Sequence, residues 1–190
     1  MDFTLPRLYI LDGAKALEKA VRKHAGKAAL IQRCQIHKRR NVVAHLPEPY
    51  RESVDRKLAN AYQMASKSDA QRELDKLHRE LMELNPSAAR SLKEGMEETL
   101  TIYQLPLSPL LRKTLATTNS IESAFSVVEK ICSRVKCWQR GDHIERWVGS
   151  ALWLADKKFQ RVKGYKDLPK LLGTLKQLRP QTSAFPSKAV

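Results

Sequence analysis

Two short apolar runs, Leu8-Tyr9-Ile10-Leu11 and Ala28-Ala29-Leu30-Ile31, stand one helix length apart and constrain the fold more than any other feature of the chain. The first run ends in Asp12-Gly13, so a buried strand carries a carboxylate at its C-terminal tip and glycine permits the turn beyond. Between the runs, Ala14, Leu17, Ala20, Val21 and Ala25 recur at helical spacing, and Gly26 closes that helix. Strand, helix, strand over so short a span predicts a right-handed parallel crossover. Open sheets of this kind place their chemistry at the C-terminal ends of the strands, where Asp12 stands. A strand beginning at Arg7 or Leu8 is an abrupt start for a domain, and it needs neighbouring strands.

The remainder reads as helix. A helix from near Ile36 turns Val42, Val43 and Leu46 inward and Lys38, Arg39, Arg40 and His45 outward, and Pro47 and Pro49 end it. Residues 48–110 form an all-helical insertion: Val54, Leu58, Ala61 and Ala65 mark one helix, and Leu74, Leu77, Leu81 and Leu84 the next. Ser68 with Gln71 predicts a capping box for the second, and Pro86 the first turn of a third. Pro106 and Pro109 mark the return. A helix capped by Asn119 turns Ile121, Ala124, Phe125, Val128, Ile131, Cys132 and Val135 inward. After a basic link, another buries Ile144, Trp147, Val148, Ala151, Leu152, Ala155 and Phe159. At 190 residues this amounts to one core, split between 1–47 and 111–178, with 48–110 inserted and 179–190 as a disordered tail.

Charge separates the insertion from the core. The net charge of +15 points to a polyanionic partner, most simply nucleic acid. Residues 1–47 carry ten basic and three acidic side chains and residues 111–190 sixteen and six, whereas 48–110 carry nine and eleven. Three cysteines, Cys34, Cys132 and Cys137, form no disulfide framework and suit a reducing compartment. No secretory signal is present, and no apolar run approaches the ~18 residues of a membrane span. A cytoplasmic protein is expected.

Asp12 and Glu122 are the carboxylates whose placement points to chemistry. Taken singly, each has a structural reading: Asp-Gly is common turn chemistry, and Glu122 stands three residues after Asn119 as in a capping box. Together, one on a strand tip and one on a later helix, they can share hard divalent cations that also take phosphate oxygens. Two such ions roughly 3.5 to 4 Å apart stabilise the attacking and leaving oxygens of a phosphoryl displacement. That chemistry usually needs another carboxylate; Asp2 precedes the same strand and does not supply it. Cys34 and His37 have metal-ligand spacing but make only half of a zinc site, and Cys132 with Cys137 completes it poorly, so zinc is not expected. Both side chains can instead orient the site without binding metal. Lys136, Trp138, Arg140, Arg146 and Trp147 interleave cations with rings, as suits phosphate contact and base stacking. Trp138 lies in the link and is the better contact; Trp147 belongs to the apolar stripe.

Leu11-Asp12-Gly13, then Gln32-Arg33-Cys34-Gln35-Ile36-His37 with Arg40-Asn41, then Thr117-Thr118-Asn119-Ser120-Ile121-Glu122-Ser123, resembles the catalytic portion of a bacterial Mutator-type insertion-sequence transposase. The resemblance runs from about Leu8 to about Leu175. It implies a ribonuclease H-like fold, here a partial α/β version with few short parallel strands and a large helical insertion, predominantly helical overall. It also implies three acids holding two magnesium or manganese ions that cut DNA and join its 3'-hydroxyl to a target. Asp12 matches the second acid, Glu122 the third, and Cys34 with His37 the C-x-x-H element; Asn119 belongs to the third motif. The first aspartate and the site-specific DNA-binding region lie earlier in that family, so this chain is expected to be a C-terminal piece, truncated or decayed, without cleavage activity alone. The implied partners are transposon ends and target DNA, contacted by Lys38, Arg39, Arg40, Lys136, Trp138 and Arg140. Homo-oligomers of the full-length enzyme and a nucleoid-associated location complete the expectation.

Overall fold

The computed structural model describes residues 7–26, 29–139 and 141–178. Strand β1 (Leu8–Leu11) pairs in parallel with β2 (Leu30–Arg33), Leu8 opposite Leu30 and Leu11 opposite Arg33, and α1 (Lys15–Ala25) connects them. Gly26 ends α1 at φ 71°, its N–H donating to the Arg22 carbonyl, a left-handed conformation that glycine adopts without a Cβ penalty. Helix then dominates: α2 (Gln35–Ala44), α3 (Glu48–Ala61), α4 (Lys67–Leu84), α5 (Pro86–Lys93), a 3₁₀ segment (Glu97–Gln104), α6 (Pro109–Leu115), α7 (Asn119–Cys132), α8 (Gly141–Asp156) and α9 (Leu168–Gln177). A mainly helical chain around a small parallel sheet matches the coarse expectation. Among the described residues no helix is long and apolar enough to cross a membrane.

The free side of β2 is covered by the 3₁₀ segment through fully buried polar side chains. Gln32 donates from Nε2 to the Thr99 carbonyl at 2.9 Å, and its Oε1 accepts from the Ile102 N–H at 2.9 Å. Thr101 donates to the Ile31 carbonyl at 2.7 Å, and Gln35 adds a second amide to Thr99. A strand edge left bare would present unpaired backbone groups, and a buried amide without partners costs about 1–3 kcal/mol. These bonds satisfy both at once and join the helical middle to the sheet.

Two apolar clusters lie on either side of this seam. Val42 of α2 and Leu46 just beyond it pack with Val54, Leu58, Leu74, Leu77, Leu81, Leu92 and Leu100. Ile102, Leu105, Leu107, Leu111 and Ala116 pack with Leu171 and Leu175 of α9. Neither α6 nor α9 is anticipated in the sequence reading, although Pro109 and Pro169 stand in their first turns and leucines recur along both.

Several local expectations are corrected. The cap of α4 is Ser66, whose hydroxyl accepts from the Asp69 N–H at 3.0 Å, not Ser68. Ser66 has the extended backbone that a cap requires, whereas Ser68 is already inside the helix, and Gln71 reaches Asp75 instead. Thr118 precedes α7 in the cap position, and Asn119 is its first helical residue. The stripes of α7 and α8 are not buried as expected: α7 and α8 pack on one another, yet Ile121, Phe125, Ile144, Trp147, Leu152 and Phe159 are all exposed. Only Ala124, Ala151 and Ala155 of these two helices are buried, and α1 buries no residue. The expected tail, 179–190, lies outside the described residues.

Candidate functional site

Asp12 leaves β1 at its C-terminal tip, exposed, with Oδ1 accepting from the Ala14 N–H at 2.9 Å. That bond is the turn chemistry its sequence predicts, and it engages one carboxylate oxygen. Directly ahead of it, the Leu11 carbonyl accepts from the Cys34 N–H at 2.7 Å, which continues the ladder one residue past β2. Cys34 is wholly buried at the junction of β2 and α2.

From Cys34 the connection runs to α7. The Thr118 N–H donates to Cys34 Sγ at 3.4 Å and the Thr118 hydroxyl lies 3.3 Å from the same sulfur. His37 Nδ1 stands 3.3 Å from the Thr118 hydroxyl and 3.7 Å from Glu122 Oε1. The Thr118 hydroxyl donates to Glu122 Oε1 one helical turn on. One hydroxyl has one proton, and the carboxylate is its strongest available acceptor. The network then assigns His37 Nδ1–H as donor to the threonine oxygen, an assignment made from hydrogen-bonding geometry. Cys34, His37, Thr118 and Glu122 thus form one connected node. Asp12 stands one residue beyond the Leu11 carbonyl to which that node is bonded.

The turn that bears Asp12 is fixed from its other side by Arg33. A Cβ on Gly13, at φ 104°, would stand 2.6 Å from Arg33 Nε, and Gly95, also at positive φ, leaves space for the other edge of the same guanidinium. Arg33 donates from Nη1 to the Glu94 carbonyl at 3.1 Å. Its Nε is buried without a hydrogen-bond partner among the described residues. The sequence quotes Arg33 and Thr118 within motifs but assigns neither a role. For Thr118 the signal is its position four residues before a helical glutamate, where side chains share a face.

Lys38 is a correction. Instead of facing outward it is fully buried, and Nζ donates to the carbonyls of Ser91, in the last turn of α5, and of Glu94, which follows that helix. Burial, and next the nearby Arg33 charge, lower its pKa to about 8, against the pull of Glu94 and Glu98. Helix α2 is covered on this face by α5, so Lys38 is not available to contact DNA. Arg39 is half-buried and forms a bidentate pair with Asp55 of α3. Arg40 is exposed. Lys136 and Trp138 are exposed on the link between α7 and α8, and the Trp138 ring lies 5.7 Å from that of His143. Trp147, expected inside, is 38% exposed and donates from Nε1 to His143 at 2.8 Å. Arg140 lies outside the described residues.

Among the described residues no three His, Cys, Asp or Glu side chains gather as a metal-binding group. Asp12 and Glu122 each offer hard carboxylate oxygens, the donor type that suits magnesium or manganese.

The description "Transposase, Mutator family" matches residues 6–161, a span that contains Asp12, the Cys34–His37 pair and Glu122. The chain belongs to the Mutator family of transposases. It is 27% identical over 175 residues to the transposase for insertion sequence element IST2 of Acidithiobacillus ferrooxidans, covering 86% of this chain and 57% of that protein. It is 32% identical over 125 residues to the transposase for insertion sequence element IS6120 of Mycolicibacterium smegmatis, covering 66% of this chain and 38% of that protein. The Mutator segment described here therefore spans only part of the length of these relatives.

Proposed function

We propose that this segment supplies two of the acids and the supporting shell of a DNA transposase active site, on a partial ribonuclease H-like core. The observation that carries the reading is the continuous path from Leu11, directly before Asp12, through Cys34 and Thr118 to Glu122. It links a carboxylate at the tip of a parallel strand with one on a helix far along the chain. Asp12 and Glu122 would hold a magnesium or manganese ion, which supplies charge neutralisation at a scissile phosphodiester. The residues themselves orient that site: Thr118 occupies Oε1 of Glu122, the Ala14 N–H occupies Oδ1 of Asp12, and His37 keeps Thr118 turned toward the carboxylate. Such outer partners typically set ligand orientation.

DNA is the proposed partner, at transposon ends and at the target, with Arg40, Lys136 and Trp138 as exposed contacts. The full-length enzyme is proposed to act as a homo-oligomer in the cytoplasm, associated with the nucleoid. The 190-residue chain alone is proposed to bind DNA without cutting it: Asp12 and Glu122 are two carboxylates, and the chemistry calls for a third.

In a full-length transposase that carries this segment, cleavage of a labelled transposon end requires the divalent ion and is abolished by Glu122→Gln. Cleavage that survives Glu122→Gln removes Glu122 from the site. The strong positive charge supports a second reading, a DNA-binding regulator with no chemistry. Its mark is salt-dependent DNA binding together with full-length protein whose cleavage is indifferent to both Asp12→Ala and Glu122→Gln.

A further inference from the structure

Beside the acidic node, a cleft of about 420 Å³ opens between α2, α3 and α6. Its volume lies in the range of small-ligand pockets, too small to admit a duplex. Two of its lining residues, Gln35 and Thr117, are chain neighbours of Cys34 and Thr118, so the cleft and the node share the same two segments. Ile102 and Tyr62 are buried in its wall and Met64 is half-buried there. These give apolar surface of the kind on which a ring can lie. Gln63 is exposed at the same cleft and offers an amide donor and acceptor.

The cationic residues of the cleft are unequally engaged. Arg39 is neutralised by Asp55. On α6, Arg112 donates from Nη1 to the Ala65 carbonyl at 3.2 Å and lies 4.8 Å over the Tyr103 ring. Its Nε is buried without a hydrogen-bond partner among the described residues. Lys113, next along, is exposed. One side of the cleft therefore carries two positive charges with no carboxylate beside them in the lining, and the interior combines apolar wall with an amide.

We propose that this cleft takes one unpaired nucleotide of bound DNA, its base among Tyr62, Met64 and Gln63 and its phosphate at Arg112 and Lys113. Enzymes that withdraw a nucleotide from a duplex read it in this manner, by apolar contact on its faces and hydrogen bonds on its edge. The inference rests on the DNA reading above and deepens it. It assigns to the junction of the helical middle with the sheet-bearing part a role in holding the strand next to the acids.

The test uses the 190-residue chain and fluorescence anisotropy with three labelled probes: a fully paired duplex, the same duplex with one extrahelical nucleotide, and that duplex with an abasic residue at the extrahelical position. The extrahelical base is expected to bind about tenfold more tightly than its abasic counterpart, through apolar contact on its faces acting together with the Gln63 hydrogen bonds that hold its edge. Ala59→Trp, which fills the cleft from α3, and Gln63→Leu, at an exposed position, each remove that preference and leave fully paired duplex binding unchanged. Gln63→Leu carries the comparison alone if circular dichroism shows Ala59→Trp unfolded. Equal affinity for base and abasic probes, or a preference that survives Gln63→Leu, overturns the cleft assignment while the DNA reading stands. Binding to none of the three probes overturns both.

Discussion

The Thr118 hydroxyl donates to the Glu122 carboxylate while its own N–H is held by Cys34 Sγ at 3.4 Å. A side chain anchored at both ends fixes one carboxylate oxygen and leaves the other for a ligand. Removing such a partner typically costs 10–100-fold in metal affinity or activity. In a full-length transposase, Thr118→Val is expected to lower the cleavage rate by about that factor, and Thr118→Ser to retain most of it. Equal rates for wild type and Thr118→Val would show that the hydrogen bond does not act on catalysis.

Gly13 and Gly26 have positive φ in common but differ in surroundings. A Cβ at Gly13 would collide with the Arg33 guanidinium, whereas at Gly26 nothing lies within 4 Å. Alanine at a left-handed position costs roughly 1 kcal/mol or more from the backbone alone. Urea unfolding should therefore show Gly13→Ala clearly more destabilised than Gly26→Ala, because Arg33 must also move. The two variants behaving alike would mean that Arg33 yields without cost.

Lys38 makes stability depend on pH in a direction opposite to that of a salt-bridged lysine. Its folded pKa, about 8, lies below the ordinary 10.5. Below pH 8 both states carry the proton, and the cost of burying the charge is fully present. Between 8 and 10.5 the unfolded chain binds the proton more than the folded one does, so this group's contribution to stability rises with pH by at most about 1.4 kcal/mol per unit. Urea midpoints at pH 7.5 and 9.5 should show wild type gaining on Lys38→Met as pH rises. A difference that stays constant with pH would contradict the burial of the charged amine.

Asn85 terminates α4 and caps α5: Oδ1 accepts from the Ser87 and Ala88 N–H groups, while Nδ2 donates to the His45 carbonyl at 2.8 Å. Asn85→Ala is expected to cost about 1–2 kcal/mol in urea unfolding. Asn85→Asp keeps the cap and loses only the donor to His45, so it should fall between the two.

Leu58 of α3 is wholly buried, whereas Phe125 of α7 is 57% exposed. Leu58→Ala is expected to cost about 2–5 kcal/mol, and Phe125→Ala no more than roughly 0.5 kcal/mol, as at ordinary surface positions. The order reverses the weight that residue size alone would give. A larger loss at Phe125 would place the α7 stripe in the core, as its periodicity implies.

Much of this molecule is legible locally. Leu8–Leu11 forms a strand as its apolar run requires, and a parallel partner follows a helix closed by Gly26; that partner is Leu30–Arg33, two residues on from the expected run Ala28–Ile31. Pro86 and Asn85 start α5 where proline and a capping amide belong. Burial was less legible. Lys38 stands on α2 at a position that its charge marks as exposed, yet two carbonyls at the C-terminal end of α5 receive its amine. Conversely the aromatic and aliphatic stripe of α7 and α8 marks a buried face, yet Ile121, Phe125 and Trp147 are exposed. A periodic stripe specifies a helix with one apolar side; it does not specify which partner covers that side.

The sequence by itself determined most of the helices, the two strands, their connection, the positive charge and the three motifs, because each depends on backbone preference, side-chain period or residue chemistry over a few neighbours. Only the tertiary structure decided that Thr118 joins Cys34 and His37 to Glu122, that Arg33 lies between Gly13 and Gly95, and that Gln32 and Gln35 tie the 3₁₀ segment to the sheet. These contacts join positions more than sixty residues apart, apart from Arg33 with Gly13 and Thr118 with Glu122. Contacts at that range follow from how the whole chain buries its polar groups, and no local pattern encodes them.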